Sequence, residues 1–177
     1  MSRGYRVYVE PLSVARTNVS AEDELCIQLS LLPVLGEDRM RELVREALKA
    51  DGWKDDGQGG LKKQLGDGLS ATLDRAGAVV TVRQEANAEV TGAGRSQQLA
   101  EQQAEERARN VKDNVKRQAT TSLARAEGDV RAAVDAVIQR VYVTALEEKA
   151  RSMGQLESME QTTSADGTVE VVLKVRV

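Results

Sequence analysis

The fold is decided by SQQLAEQQAEERARNVKDNVKRQATTSLARAEGDVRAAVDAVIQRVYVTALEEKARSM, residues 96–153. The stretch holds no proline and is rich in Ala, Glu, Gln and Arg. Apolar residues recur at Ala108, Val111, Val115, Ala119, Leu123, Ala126, Val130, Val134, Val137, Val141, Ala145 and Ala150. Steps of three and four put them on one face of an amphipathic helix. From Val111 to Val137 the mean step is about 3.7 residues, nearer an eleven-residue repeat than a heptad coiled coil. The opposite side carries Glu105 before Arg109, Asp113 before Arg117, Glu127 before Arg131 and Glu147 before Arg151. Acid-first pairs at this spacing each contribute about 0.2–0.5 kcal/mol.

Ser96, after Gly92-Ala93-Gly94, reads as the N-cap, and Gly154 as the C-cap. Thr120, Thr121 and Gly128 weaken the middle. Either one helix runs through, or two helices fold back as a hairpin near Glu127-Gly128-Asp129; the unbroken phase of the stripe favours continuity. Before Val130 the stripe is mostly Ala and Val, with little area to bury. Beyond it, Val134, Val137, Ile138, Val141, Tyr142, Val143 and Leu146 thicken it. The second half is therefore expected to dock on the rest of the chain. The first is expected to project or to meet another chain, through Ala108, Val111, Val115, Ala119, Leu123 and Ala126.

At 177 residues the chain reads as one small domain with an extension. The segments are an α+β head (1–94), the helical arm (95–153) and a C-terminal β-hairpin (154–177) completing the head. Aromatics make up 2% of the chain, so Val, Leu, Ile and Ala must form the core. A net charge of -3 argues against a general nucleic-acid or anionic-membrane binder. The single Cys26 rules out a disulfide within the chain and suits a reducing compartment. Neither a signal peptide nor a bilayer-length apolar run is evident, so a cytoplasmic location and no membrane association are expected. The absence of His removes the commonest general base and zinc ligand. No metal or cofactor is expected.

Along the chain, Tyr5-Arg6-Val7-Tyr8-Val9 alternates as a strand, with Pro11 placing it at an edge. Residues 13–23 read as a polar loop. Leu25, Ile27, Leu29 and Leu31 alternate as a strand closed by Pro33, with Cys26 semi-buried on its other face. Glu37 and Asp38 open a helix whose apolar face is Met40, Leu43, Val44, Ala47 and Leu48, and Asp51-Gly52 stops it. Trp53 then either caps the core or meets a ligand. Residues 55–60 form a turn, followed by short strands at 61–65, 69–73 and 78–90 with turns at 66–68 and 75–77. The last strand fades into polar residues 84–89, which need a partner strand or stay mobile. Residues 155–161 and 168–177 form a hairpin about Ser164-Ala165-Asp166-Gly167, expected to pair with the N-terminal strands and join the sheet. The fold class is α+β: a small antiparallel sheet, one short helix, the long arm and the closing hairpin.

Chemistry is sparsely marked. Arg107, Arg109, Lys112, Lys116 and Arg117 offer a nucleic-acid alternative, but Glu101, Glu105, Glu106 and Asp113 flank them and no aromatic is interleaved for stacking. The neighbours Glu105/Glu106 and Glu147/Glu148 do not share a helix face, so they make no acid/base pair. A Lys- or carboxylate-based site around Trp53 is the remaining enzymatic option.

Ile138-Gln139-Arg140-Val141-Tyr142-Val143, then Ala150, Gly154 and Ala165-Asp166-Gly167-Thr168-Val169-Glu170-Val171-Val172-Leu173, resembles the C-terminal half of a family of unknown function from cyanobacteria and plastids. The run from Met40 to Trp53 is similar there too. As a whole the chain resembles an accessory (X-type) domain of bacterial FtsH ternary systems, although Val141 and Val143 flank Tyr142 and the arm is long. The resemblance implies a non-enzymatic partner of an AAA+ ATPase in a stress or conflict system. It carries over no catalytic residues. Together these readings make the expected function a protein-interaction or adaptor role, with a protein partner and a homo-oligomer as the expected associations.

Overall fold

The structure, a computed structural model, describes residues 12–164 and 169–176. Elements run β1 (Ser13–Gln28), α1 (Glu37–Ala50), β2 (Lys54–Asp55), β3 (Leu61–Gly66), β4 (Leu69–Leu73), β5 (Val79–Gly94), α2 (Gln97–Met153), β6 (Gln155–Thr163) and β7 (Val169–Arg176). The first five strands form one antiparallel sheet in the order β1-β5-β4-β3-β2, and β6 pairs with β7 in a second sheet. The class is α+β, as the sequence predicts. The strand expected at Tyr5–Val9 and the turn at 165–168 lie outside the described residues.

The long segment is one helix, not a helical hairpin. Ser96 caps it: the Leu99 amide donates to Ser96 Oγ at 3.3 Å. At the far end the Gly154 amide reaches the Ala150 carbonyl at 3.2 Å. A Cβ on Gly154 would lie 2.2 Å from the Arg176 carbonyl oxygen, so only glycine lets β7 finish against this turn.

By packing, the chain divides into Met1–Asp23 with Gln84–Ser122, and Glu24–Arg83 with Leu123–Val177. In the second unit α1 buries Met40, Leu43, Val44 and Leu48, the face its spacing predicts. Its end follows from Gly52, whose φ of 88° is left-handed. The Gly52 amide bonds the Lys49 carbonyl and the Trp53 amide the Leu48 carbonyl, a Schellman motif that turns Trp53 onto the core. Trp53 is 7% exposed, so it caps the core. In the β3–β4 turn, Gly66, Asp67 and Gly68 all have positive φ. In the β4–β5 turn, Asp74 Oδ1 accepts from the Ala78 and Val79 amides at 2.7 and 3.0 Å. Leu61, Leu73, Val80 and Val82 meet Val130, Val134, Val137 and Val141 of α2 in the core. Tyr142 ties in the connection after β1, its hydroxyl accepting from the Leu32 amide at 3.0 Å and donating to the Ser30 carbonyl at 3.3 Å.

The first unit holds the main corrections. Residues 13–23 are strand rather than loop, and residues 84–94 find their partner there, because β1 and β5 are hydrogen-bonded neighbours. Val19, Ala86 and Val90 bury Val115 and Ala119 of α2, with Ala108 and Val111 packed at the margin. Ala15 meets Ala100 and Ala104. A Cβ on Gly92 would lie 2.0 Å from the Ala100 carbonyl oxygen and 2.5 Å from the Ala104 nitrogen. The helix backbone thus rests directly on the strand. From Ala108 to Ala119, the thin stripe expected to project or meet another chain lies instead against an equally thin strand face of its own chain.

The C-terminal hairpin departs from expectation in part, its expected pairing with Tyr5–Val9 lying outside the described residues. Among the described residues it does not join the five-stranded sheet; β6 starts two residues after α2 ends, and its pairing runs along β7 from Gln155↔Arg176 to Thr163↔Val169.

Candidate functional site

In the second unit an apolar pocket of ≈ 270 Å³ opens between α2 and the β3–β4 hairpin. Ala126, Val130, Ala133, Val134 and Val137 form the helix side; Leu65, Leu69 and Ala71 form the strand side, and Leu48 and Trp53 complete the wall. Small Ala126 and Ala133, one turn either side of Val130, leave room that larger residues would fill. The register shift between Gln64 and Gly66 sets Leu65 at the mouth, where it is 38% exposed.

Three charged residues also line the pocket. Lys63 Nζ donates to Asp51 Oδ2 and to the Asp51 carbonyl oxygen, each at 2.8 Å, and Arg140 stands 3.6 Å from the same carboxylate. The hydrogen bond from Lys63 holds the Asp51 carboxyl below its ordinary range, against the opposing effect of burial. Lys63 is thereby tied to a carboxylate, unlike the desolvated, unpaired amine that Schiff-base chemistry uses. Asp129, exposed at the rim, makes no ion pair among the described residues. The arrangement suits an apolar side chain with a cationic neighbour.

The predicted partner-interface residues are dispersed. Val115 and Ala119 are buried with Ala108 and Val111 beside them, Leu123 belongs to the second unit's core, and only Ala126 lines this pocket. The basic residues are not gathered into a tract. Arg107 donates to the Thr91 carbonyl at 2.7 Å, and Arg117 to Asn114 Oδ1 at 2.5 Å. At ~100° per residue, Glu105, Arg109 and Lys116 leave the helix in nearly the same direction. Positive and negative charges therefore share the solvent side. Lys116 and Arg117 border an open depression together with Asp113, Thr120 and Thr121. Cys26 is exposed rather than semi-buried, 3.8 Å from Thr81 Oγ1.

Sequence reasoning missed two charged constellations. One is the Asp51–Lys63 pair. The other centres on Arg39, which forks onto Glu148 with contacts of 3.0 and 2.6 Å and reaches Glu42 at 2.6 Å. Hydrogen bonding from Arg39 holds the Glu148 carboxyl below its ordinary range, and Glu148 raises Arg39 in return. Spacing along the chain relates neither Lys63 to Asp51 nor Glu148 to Arg39. Among the described residues no three His, Cys, Asp or Glu side chains gather as a metal set, and no helix is long and apolar enough to cross a membrane.

These features define the class: an α+β domain built on one long helix, with an apolar pocket that also carries Asp51, Lys63 and Asp129. The chain matches the model of FtsH ternary system domain X5 over residues 1–177, and it belongs to that family. This places it as a component of an FtsH-associated system, in keeping with a non-enzymatic accessory role and with protein partners. No curated protein and no solved structure matches it.

Proposed function

We propose that this chain is a non-enzymatic adaptor working in an assembly with an AAA+ ATPase, in a system that answers stress or conflict. Family membership across the whole chain carries the reading. The pocket beside Trp53 supports it and offers the contact: its walls take an apolar side chain, and Asp129 at the rim favours a basic residue next to it.

The test mixes the purified chain with the AAA+ ATPase of its own system and follows complex formation and ATP turnover. A complex is expected, weakened by Leu65→Glu at the exposed mouth while the far-UV spectrum is unchanged. No complex and no effect on ATP turnover would sink the proposal. A salt-dependent shift of DNA, lost on charge reversal at Arg109 and Lys116, would favour the nucleic-acid alternative instead.

A further inference from the structure

The C-terminal hairpin carries an interaction surface that the Trp53 pocket does not explain. Among the described residues β7 pairs with β6 alone, and no described strand lies along its other edge. A lone two-stranded ribbon is marginal in water, and an open edge is a template for a further strand. On the outward face of β7, Glu170, Val172 and Lys174 follow at every second residue. Val172 is 45% exposed. Glu170 and Lys174 make no ion pair among the described residues, whereas Arg176 is already engaged by Glu157 at 2.5 Å.

This pattern is self-complementary. Place a second β7 antiparallel along the open edge, with the two-fold axis at Val172. Each Glu170 then stands opposite the second copy's Lys174, and the two Val172 side chains meet on the axis. On the other face, Val169 falls opposite Val175 and Val171 opposite Leu173, so each pair between Val169 and Val175 is apolar or oppositely charged. A shift of one residue in either strand would set Glu170 against an apolar residue. We propose that β7 pairs with β7 of a second copy of this chain, giving a two-fold dimer with a continuous four-stranded sheet β6-β7-β7-β6.

The experiment measures the mass of the full chain in solution over a concentration series. The chain is expected to dimerise, and Glu170→Lys or Lys174→Glu to weaken the dimer roughly tenfold, since each turns two attractive pairs into repulsive ones. The double exchange Glu170→Lys with Lys174→Glu should restore it. As a check independent of charge, Val172→Cys in a Cys26→Ser background should form an intermolecular disulfide readily, because the paired Cβ atoms lie within bridging reach. Val171→Cys, which faces Leu173 of the second copy, should not. A chain that stays monomeric throughout overturns the proposal. So does a dimer indifferent to the single charge reversals, or one that cross-links equally well through either cysteine.

Discussion

Replacing Gly92 by Ala tests the closest approach in the first unit. The added Cβ would sit 2.0 Å from the Ala100 carbonyl oxygen and 2.5 Å from the Ala104 nitrogen. Both are backbone atoms within a helix, so no side chain can rotate aside. An ordinary contact begins near 3.4 Å, and the helix must therefore retreat by more than an ångström. That retreat opens the seam where Ala100 and Ala104 are fully buried against Ala15. Overpacking of a tight site costs about 1–3 kcal/mol, and a clash with backbone on both sides belongs at the upper end, about 3 kcal/mol. Urea titration followed by far-UV circular dichroism reads the loss directly as a lowered midpoint with little change in slope. Faster amide hydrogen exchange at Ala100 and Ala104 than at Val134 and Val137 would locate it. A variant within about 0.5 kcal/mol of the parent, which is the level of an ordinary surface change, would refute the direct strand-to-helix contact.

Gly128→Ala should act in the opposite sense: a Cβ there meets nothing within 4 Å and the residue is helical, so thermal unfolding should report a gain of up to about 1 kcal/mol. Tyr142→Phe removes the hydroxyl that accepts from the Leu32 amide and donates to the Ser30 carbonyl, and should cost about 0.5–1.5 kcal/mol by urea titration. Asp51→Asn tests the pair at the pocket. The folded carboxyl titrates below the unfolded one, so its stabilisation is present above the unfolded value, ~3.9, and is lost as pH falls through the folded value. The gap in urea midpoint between parent and variant should be steady from neutral pH to about pH 5 and close below about pH 4; a gap that persists in acid would contradict the assignment.

What was legible in the sequence had local causes. The face of α1, its stop at Gly52, the turns around Asp67 and Asp74 and the Ser96 cap each depend on residues a few positions apart. The unbroken phase of the stripe foretold one helix through Gly128. The Trp53 pocket was half legible: Trp53 after Asp51-Gly52 marked a wall, but only tertiary structure brings Leu65 and Leu69 opposite Ala126 and Ala133. The pairs Asp51–Lys63 and Arg39–Glu148 were invisible for the same reason.

The first unit is poorly legible in the sequence because small residues carry little apolar signal. Ala15, Val19 and Ala21 on β1, and Ala86, Ala88, Val90, Gly92 and Gly94 on β5, alternate faithfully toward the inside. Between mostly polar neighbours they hardly raise the apolar signal, so 13–23 reads as loop and 84–89 as a fading end. Gly92 and Gly94 invited a turn, the commoner meaning of paired glycines, yet here they continue a strand beneath Ala100 and Ala104. Area-based accounting assigns such a face little value, since Ala and Gly bury few square ångströms. It leaves out what small residues permit: backbone against backbone at van der Waals distance, with many dispersion contacts and no side-chain entropy to lose. A thin helical stripe is therefore no sign of a missing partner until the thinnest strand in the same chain has been laid against it. By the same logic, a partner surface is better sought among the large apolar residues that stay exposed, Leu65 and Val172 with them, than along this seam of alanines.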